Sequence, residues 1–339
     1  TCLLMKTSLL AVAVFVCLLS TCFAQATPKE SLLILSKSEQ KVSIIDPATL
    51  KVVATAPVGP DPHEIIASSD GKLAYVSNYL SAQGYAMAVI DLIAQKPLPS
   101  IELQGLKGPH GLHYAGGKVW FTIEGSKAAA SYNPSTGKID WVMGTGQNAT
   151  HMIYVFDDLK RVITSNISSA TMSFLIKTMS QAPPGAPARE NWEQYLVNVG
   201  GRTEGFDVSP DGREVWGASA TDGTVAIIDV ATRKLTETIQ TNTKSANRLK
   251  FTPDGKLVFI SSLTLPDVVV IDAATRKEVK RIPVGRGAAG IQMQPDGKRV
   301  FVACTPDNYV AVIDTATMTV TGHIDAGRQP DGMAWATRK

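Results

Sequence analysis

The sequence repeats with a period of about 42 residues, and this period constrains the fold more than any other feature. In most copies an apolar run ends at an acidic or amide residue, namely at Asp46, Asp91, Asn133, Asp229, Asp272 and Asp314. A second signal, a turn that contains Asp-Gly, recurs as SSDGK, SPDGR, TPDGK and QPDGK. Asp-Gly supplies the left-handed position that a tight β-turn needs, so these copies each contain a hairpin.

The spacing of these signals predicts an all-β fold, a seven-bladed β-propeller with four-stranded blades. Each period has room for four short strands, seven periods fit the chain, and no helical pattern is visible. The two ends of the chain fit a closed ring. SLLILS at 31–36 corresponds to the second strand of a blade, and DGMAWA at 331–336 supplies the first strand of the same blade. Three N-terminal strands and one C-terminal strand are therefore expected to close the ring.

One copy of the repeat also resembles a known family. YVSN at 75–78, preceded by SSDGK and followed by VIDL, resembles the YVTN-type β-propeller repeat, which includes exported YncE-like proteins. The resemblance covers 30–339. It implies a propeller but no particular reaction, because such propellers serve as binding modules, surface proteins and occasional enzymes.

The chain from Met5 onward has the features of a secretory signal. Lys6 supplies the positive region and Leu9–Leu19 an apolar core that is too short to span a bilayer, so no transmembrane span is expected. We expect a signal peptide at 1–24, with non-native or misassigned residues before its Met. A single propeller domain at 25–339 would follow, in a protein that is exported and either periplasmic or secreted.

Composition and motifs exclude several classes of protein. A formal net charge of +3 lacks the basic surface of a nucleic-acid-binding protein. The sequence has no Cys-x-x-Cys-His motif for haem, no Gly-rich loop for a nucleotide and no Gly-x-Ser-x-Gly nucleophile motif. After cleavage only Cys304 would remain, so no internal disulfide is expected; acylation of Cys22 is an alternative that the sequence leaves open.

Histidines recur at one place in the repeat. Counting back from the Lys or Arg after each hairpin turn aligns the start of every first strand. The residues found there, called the ring positions, are His63, His110, His151, Glu204, Asn247, Ala289 and Asp331. Because the innermost strands of a propeller begin around one mouth of its central channel, these side chains are expected to converge.

Three neighbouring imidazoles predict a transition-metal site. His63, His110 and His151 with an open coordination position suit zinc, copper or iron. Glu204, next in the ring, is a candidate fourth ligand, orienting group or catalytic general base. The same residues also suit a metal-free polar ligand, and three separately hydrated histidines are a further alternative.

Basic residues precede several ring positions and predict a basic collar on the same mouth, formed by Lys107, Arg202, Lys244, Arg286 and Arg328. This collar would either focus a small anion toward the histidines or form a solvated rim. The second strands end on the same face. At one of these strand ends, Glu124 either joins the site or is an exposed carboxylate, and the exposed carboxylate is the favoured alternative. At another, Cys304 is expected to be a buried small residue.

These features favour a binding protein whose ligand lies at the channel mouth, with a metal ion held by the three histidines. One alternative is a metal-assisted lyase or hydrolase that acts on a small anionic molecule, so the question of enzyme activity stays open. Another is a protein-interaction or envelope scaffold that uses the Pro-rich insertion at 178–194, predicted to be a loop on the face opposite His110. A monomer without a nucleic-acid partner is expected.

Overall fold

A computed structural model describes residues 25–180 and 185–339, and these form seven four-stranded antiparallel sheets. Blade 1 contains β1 (Glu30–Ser36), β2 (Lys41–Asp46), β3 (Lys51–Pro57) and the last strand of the chain, β28 (Pro330–Thr337). Blade 2 contains β4 (Pro62–Ala67), β5 (Leu73–Asn78), β6 (Ala86–Asp91) and β7 (Lys96–Glu102). Blade 3 contains β8 (Pro109–Ala115), β9 (Lys118–Ile123), β10 (Ala128–Asn133) and β11 (Lys138–Gly144).

The remaining four blades follow in chain order. Blade 4 contains β12 (Thr150–Val155), β13 (Arg161–Asn166), β14 (Thr171–Met179) and β15 (Glu190–Asn198). Blade 5 contains β16 (Thr203–Val208), β17 (Glu214–Ser219), β18 (Thr224–Asp229) and β19 (Lys234–Gln240). Blade 6 contains β20 (Ala246–Phe251), β21 (Leu257–Ser262), β22 (Asp267–Asp272) and β23 (Lys277–Pro283), and blade 7 contains β24 (Ala288–Met293), β25 (Arg299–Cys304), β26 (Tyr309–Asp314) and β27 (Thr319–Ile324).

This architecture confirms the predicted seven-bladed all-β propeller. Helical structure in the described residues is limited to three short 3-10 turns, at Glu124–Ser126, Ile167–Ser169 and Thr305–Asp307. In this part of the chain, no helix has the length and apolar character that a membrane crossing requires.

The ring closes in blade 1 as the sequence predicts. β28 pairs antiparallel with β1, with Leu32 opposite Trp335 and Ile34 opposite Met333. Leu32 and Ile34 are fully buried. The C-terminal strand is therefore part of the core, and the two ends of the domain hold each other in place.

The apolar runs become inner strands because each blade packs against a neighbour on both faces. The central residues of β6 and β22 are buried throughout. The outermost strand of a blade meets solvent instead, and β19 is exposed along most of its length with only Ile239 buried. The core therefore lies between the blades, and the first strands of the blades face the channel.

The Pro-rich insertion is shorter as a loop than the sequence predicts. β14 and β15 extend into 178–194, and Met179 pairs with Glu190. The prediction of a loop over the whole segment is wrong at both ends, because β-favouring residues such as Trp192 continue the strand pairing. β14 ends and β15 begins at the end of the blade opposite His110, as predicted. Residues 181–184 of the insertion and the predicted signal peptide at 1–24 lie outside the described residues.

Candidate functional site

A β-bulge places each ring position at the channel. In blade 3, Pro109 pairs with Ile123 and Leu112 pairs with Phe121, so two residues of β8 lie opposite one residue of β9. The equivalent shift occurs at the start of the first strand in the other six blades. A bulge changes the direction of a side chain, and here it turns His110 and its equivalents toward the channel.

A hydroxyl group on the second strand fixes this bulge in four blades. Thr122 Oγ1 accepts a hydrogen bond from the backbone N–H of Gly111 (2.8 Å) and donates one to the carbonyl of His151 in the next blade. The hydroxyls of Ser77, Ser165 and Ser261 accept the equivalent bond from the backbone of Glu64, Met152 and Arg248. The serine of the YVSN motif is thus one of the groups that hold the ring positions in register.

Close approach of neighbouring first strands explains the glycines that follow several ring positions. A Cβ atom at Gly111 would lie 2.5 Å from the carbonyl oxygen of His151, and one at Gly332 would lie 2.3 Å from that of His63. Larger residues would push neighbouring blades apart. The spacing between ring positions is therefore set by the backbone.

All seven ring positions line one cavity of about 390 Å³ at the predicted mouth. We call His63, His110 and His151 the histidine row. The ring centroids of His63 and His110 are 5.0 Å apart, and those of His110 and His151 are 3.7 Å apart. Tyr79 packs edge-on against both His63 (4.9 Å) and His110 (5.0 Å). The sequence-predicted histidines therefore form one contiguous cluster.

His63, at one end of the row, lies in a network of charged groups. The Lys37 ammonium donates a hydrogen bond to His63 Nε2 (2.8 Å) and lies 3.3 Å from Asp331 Oδ2 and 3.6 Å from Asp61 Oδ1. Burial, and then Lys37, lower the pKa of His63 to about 4. Burial raises the pKa of Asp331 to about 6 although Lys37 opposes this shift. The lone pair of His63 Nε2 is therefore occupied.

The other end of the row contains polar atoms without partners. His110 is 2% exposed and His151 is 8% exposed. Within the described residues, His110 Nδ1, His151 Nδ1 and Glu124 Oε2 are buried and have no hydrogen-bond partner. Burial lowers the pKa of His110 well below its ordinary value, and His151 and His63 add to this effect.

The side chain of Glu124 is largely buried beside this part of the row, contrary to the favoured expectation of an exposed carboxylate. Its side chain is 10% exposed, and its Oε1 atom lies 3.7 Å from His151 Nδ1. Burial alone would raise the pKa of Glu124, but His151 and Tyr79 stabilise the carboxylate and lower it overall. Cys304, by contrast, is fully buried, as predicted.

An ion pair divides the channel into two cavities. The Arg248 guanidinium donates to the Glu64 carboxylate across the ring, and both side chains are largely buried. Arg248 lines the mouth cavity and, with Glu64, a second cavity of about 290 Å³. We call this pair the channel ion pair and the second cavity the far end.

The three-histidine arrangement is not preformed as a metal centre. Among the described residues, no group of three or more His, Cys, Asp or Glu side chains is arranged to hold a metal ion. Lys37 donates a hydrogen bond to the Nε2 atom of His63, and the rings of His110 and His151 have centroids 3.7 Å apart and are tilted by 33°. Glu204 lines the same cavity as the histidines.

The predicted basic collar lies on the rim and outside the cavity lining. Its five members, Lys107, Arg202, Lys244, Arg286 and Arg328, are exposed. Two of them pair with acids, because Arg286 contacts Asp307 (2.6 Å) and Arg328 lies 3.5 Å from Glu39. The cations that reach the cavity are instead Lys37 and Arg248, which the sequence analysis missed.

A weak sequence signal was available for these two cations. Lys37 directly follows β1, the second strand of blade 1, and Tyr79 follows the equivalent strand of blade 2. Arg248 directly follows a ring position, at the place where several other blades have glycine. Comparing the residues one place beyond each strand end and each ring position would have singled them out.

Comparisons with known proteins identify the fold and no family. No family model and no curated protein matches the sequence. A functionally unknown protein from Desulfotomaculum acetoxidans superposes with a TM-score of 0.72 at 15% identity, over 91% of this chain and 99% of that chain. A provisionally assigned 6-phosphogluconolactonase from Bacteroides fragilis gives 0.71 at 16% identity over 92% and 99%.

Two further solved structures with other named activities are also similar to this chain. Hydrazine synthase from Kuenenia stuttgartiensis gives a TM-score of 0.64 at 16% identity, over 81% of this chain and 89% of that chain. The dihydro-haem d1 dehydrogenase NirN gives 0.63 at 14% identity over 91% and 75%. At such low identities the similarity shows the fold alone, and the activities named for these proteins differ widely.

Proposed function

We propose that this protein is an exported propeller of the YVTN type that binds a divalent transition metal ion at the channel mouth through its histidine row. The observation that supports this proposal is the pair of buried imidazoles, His110 and His151, whose Nδ1 atoms have no partner in the described chain. Leaving a buried polar atom unpaired costs about 1–3 kcal/mol. A metal ion would satisfy both nitrogens at once.

The chemistry of the donors narrows the class of metal. Imidazole nitrogen suits zinc, copper, iron and nickel, whereas calcium and magnesium prefer oxygen ligands. The cavity in front of the row leaves room for an open coordination position, which would supply Lewis acidity toward a bound molecule.

The experiment is a metal analysis of untagged protein. Chelator-treated protein is titrated with zinc or cobalt(II), and bound metal and melting temperature are measured for the wild type and for His110→Ala and His151→Ala. We expect about one metal per chain in the wild type and loss of binding in both variants. His323→Ala, which changes an exposed histidine on an outer strand, is the matched control. A wild type that binds neither metal and shows no thermal shift would overturn the proposal.

Catalysis at the same mouth is a second candidate function, because Glu204 shares the cavity with the histidines. In that case the metal would polarise a small anionic substrate, and Glu204 would act as the general base. Turnover would then be lost in Glu204→Gln while metal content stays at the wild-type level. Loss of metal in that variant would instead make Glu204 a ligand.

Export rests on the apolar segment Leu9–Leu19, which lies outside the described residues. Expression of the full chain in a bacterium, followed by N-terminal sequencing of the protein from the periplasmic fraction, tests this part of the proposal separately. A mature chain that begins near residue 25 supports export, and an unprocessed cytoplasmic chain contradicts it.

A further inference from the structure

The far end is lined by a second layer of channel residues, three places beyond the ring positions. Side chains of a strand alternate between its two faces, so the residues one and three places beyond each ring position point the same way, into the channel. At the third place, blades 1 and 2 have the apolar residues Ala334 and Ile66. Blades 3 to 7 have polar residues that all line the far end, and we call them the polar arc: His113, Tyr154, Asp207, Lys250 and Gln292.

Space at the far end exists because the layer between the mouth and the polar arc consists largely of glycine. The channel ion pair occupies two of the seven places directly after the ring positions. Four of the other five places hold glycine, at Gly111, Gly205, Gly290 and Gly332. The cavity of about 290 Å³ has room for roughly ten water molecules, or for one compact ligand with about as many non-hydrogen atoms.

Several hydrogen-bonding groups of the polar arc are left over after the contacts within the protein. Lys250 pairs with Asp207 (3.3 Å), and Gln292 Nε2 donates to the carbonyl of Met293 (2.8 Å). Among the described residues, the His113 imidazole, the Tyr154 hydroxyl and Gln292 Oε1 find no hydrogen-bond partner. The rings of His113 and Tyr154 lie edge to face, with centroids 4.9 Å apart. The polar arc therefore offers both donors and acceptors to a molecule in the cavity.

The charges around the far end cancel. The channel ion pair supplies one charge of each sign, and Lys250 and Asp207 supply a second such pair. Burial, and then Lys250, lower the pKa of His113 to about 4, so its imidazole is uncharged at neutral pH and has one donor and one acceptor. A ligand with a net charge would lose its hydration here without gaining an unpaired counter-charge. The far end therefore favours an uncharged ligand.

Independently of the function proposed for the mouth, we propose that the far end binds a small uncharged molecule with several hydroxyl groups, of monosaccharide size. A hydroxyl group both donates and accepts hydrogen bonds, which matches the mixture of groups that the polar arc offers. Ile66 and Ala334 complete the layer and give the C–H groups of such a ligand an apolar surface. The Lys250 side chain is 37% exposed, so solvent and a small ligand reach this layer.

The experiment is a calorimetric titration of the chelator-treated mature chain with D-glucose and D-galactose, and with the uronic acid and the 2-amino derivative of each. We expect saturable binding of at least one neutral sugar, with a dissociation constant of about 1 mM or lower. Its charged derivatives should bind at least about tenfold more weakly. Saturating the protein with zinc should change the affinity for the sugar by less than about twofold, because the mouth is a separate cavity.

Two conservative variants test the location of this site. Tyr154→Phe removes only a hydroxyl group, and His113→Phe keeps a ring against Tyr154. We expect each to bind the sugar about three- to tenfold more weakly, as for the loss of one or two hydrogen bonds. The matched controls are Tyr85→Phe and His323→Phe, which make the same changes at exposed residues and should stay within about twofold of the wild type. Circular dichroism and thermal melts verify that every variant folds.

Each part of the proposal has its own contrary result. Absence of saturable binding by both neutral sugars would overturn the proposed ligand class, as would tighter binding of a uronic acid or an amino sugar. Wild-type affinity in both Tyr154→Phe and His113→Phe, or an equal loss in the control variants, would show that the sugar binds elsewhere. None of these results depends on whether the mouth binds a metal ion, because the titrated protein is metal-free.

Discussion

The two ends of the central channel are built from the same seven strands, yet they carry different chemistry. At the mouth, three imidazoles lie side by side, and His110 Nδ1, His151 Nδ1 and Glu124 Oε2 are buried without a hydrogen-bond partner in the part of the chain that the structure describes. At the far end, Lys250 lies 3.3 Å from Asp207, and a single histidine, His113, packs edge-on against Tyr154. The channel ion pair lies between the two ends.

In this repeat fold, the backbone sets the positions of the channel residues, and the side chains at those positions set their chemistry. Bulges at the starts of the first strands position the mouth residues, and the straight part of the same strands positions the far-end residues. At the far end, the charges of Lys250 and Asp207 are paired. The buried atoms without partners at the mouth are the reason that the proposed function places ligand binding there.

The largest expected effect comes from removing β28, which lines both ends of the channel and closes the ring. Deleting 330–339 removes Asp331 from the mouth and Met333 from the far end, and it uncovers the buried residues of β1. We expect a loss of more than about 5 kcal/mol in the free energy of unfolding, or failure to fold. Urea denaturation of the truncated and intact mature chains measures it.

The matched control for this deletion removes only Arg338 and Lys339, which follow β28. We expect that shorter truncation to unfold within about 1 kcal/mol of the intact chain, as surface changes usually do. A chain without 330–339 that melts within a few degrees of the intact protein would contradict the closure seen in blade 1.

The second largest effect concerns the channel ion pair. Arg248→Met leaves the buried Glu64 carboxylate without its partner, which costs about 3–5 kcal/mol in the free energy of unfolding. The double variant Glu64→Gln/Arg248→Met removes both charges and is expected to recover most of this loss. Urea denaturation of the single and double variants gives the coupling energy. Equal destabilisation in the single and double variants would show that packing, and not the charge pair, matters there.

The sequence predicts the mouth residues well because their spacing along the chain is short and strict. Each ring position is tied by a few covalent bonds to the hairpin turn that follows it, so one alignment of turns locates all seven. Closure was predictable for a similar reason. The N-terminal blade that begins with SLLILS lacks its first strand, and DGMAWA near the C-terminus supplies that strand. Local regularity of the repeat was sufficient in both cases.

Contacts between distant blades could not be predicted in this way. Glu64 and Arg248 are 184 residues apart, and Lys37 reaches a histidine of the next blade. Such pairs depend on side-chain rotamers and on which blades face each other across the channel. Glu124 was expected to be exposed because a charged residue at a strand end usually is, but neighbouring side chains bury it.

The far end provides a third, pH-dependent test of the difference between the two ends. Burial, and then Lys250, lower the pKa of His113 to about 4, below the ordinary value of 6.5. Between pH 4 and pH 6.5 the unfolded chain binds a proton at this histidine and the folded chain does not. The free energy of unfolding therefore has its full value above pH 6.5 and decreases as the pH falls from 6.5 to 4. The expected loss is about 2–3 kcal/mol, reduced where solvent in the far cavity screens the charge.

His113→Phe isolates this contribution from that of the other histidines. The variant keeps an aromatic ring against Tyr154 and removes the titrating group. Urea denaturation at pH 7.5 and pH 4.5 should show a smaller decrease for the variant than for the wild type. Equal decreases in the two proteins would mean that His113 does not contribute to the acid sensitivity of the fold.

The smallest expected effect tests whether the rim of the mouth steers anions. Arg286 and Arg328 are 75% and 70% exposed and already pair with acids, so their influence on a ligand inside the cavity is weak. Reversing both to Glu should weaken binding of oxalate to the cobalt-loaded protein by about two- to fivefold at 10 mM ionic strength. The difference should vanish near 0.5 M salt, because charges farther apart than about 4 Å are then screened.

Lys256 and Lys298 provide the matched control, since both are exposed, pair with a nearby aspartate and lie at hairpin turns on the opposite face. Reversing that pair changes the net charge equally, and it should leave oxalate binding unchanged if the position of the charge matters. The same loss in both double variants would make the effect one of net charge, and no loss in either would make the basic collar a solvated rim.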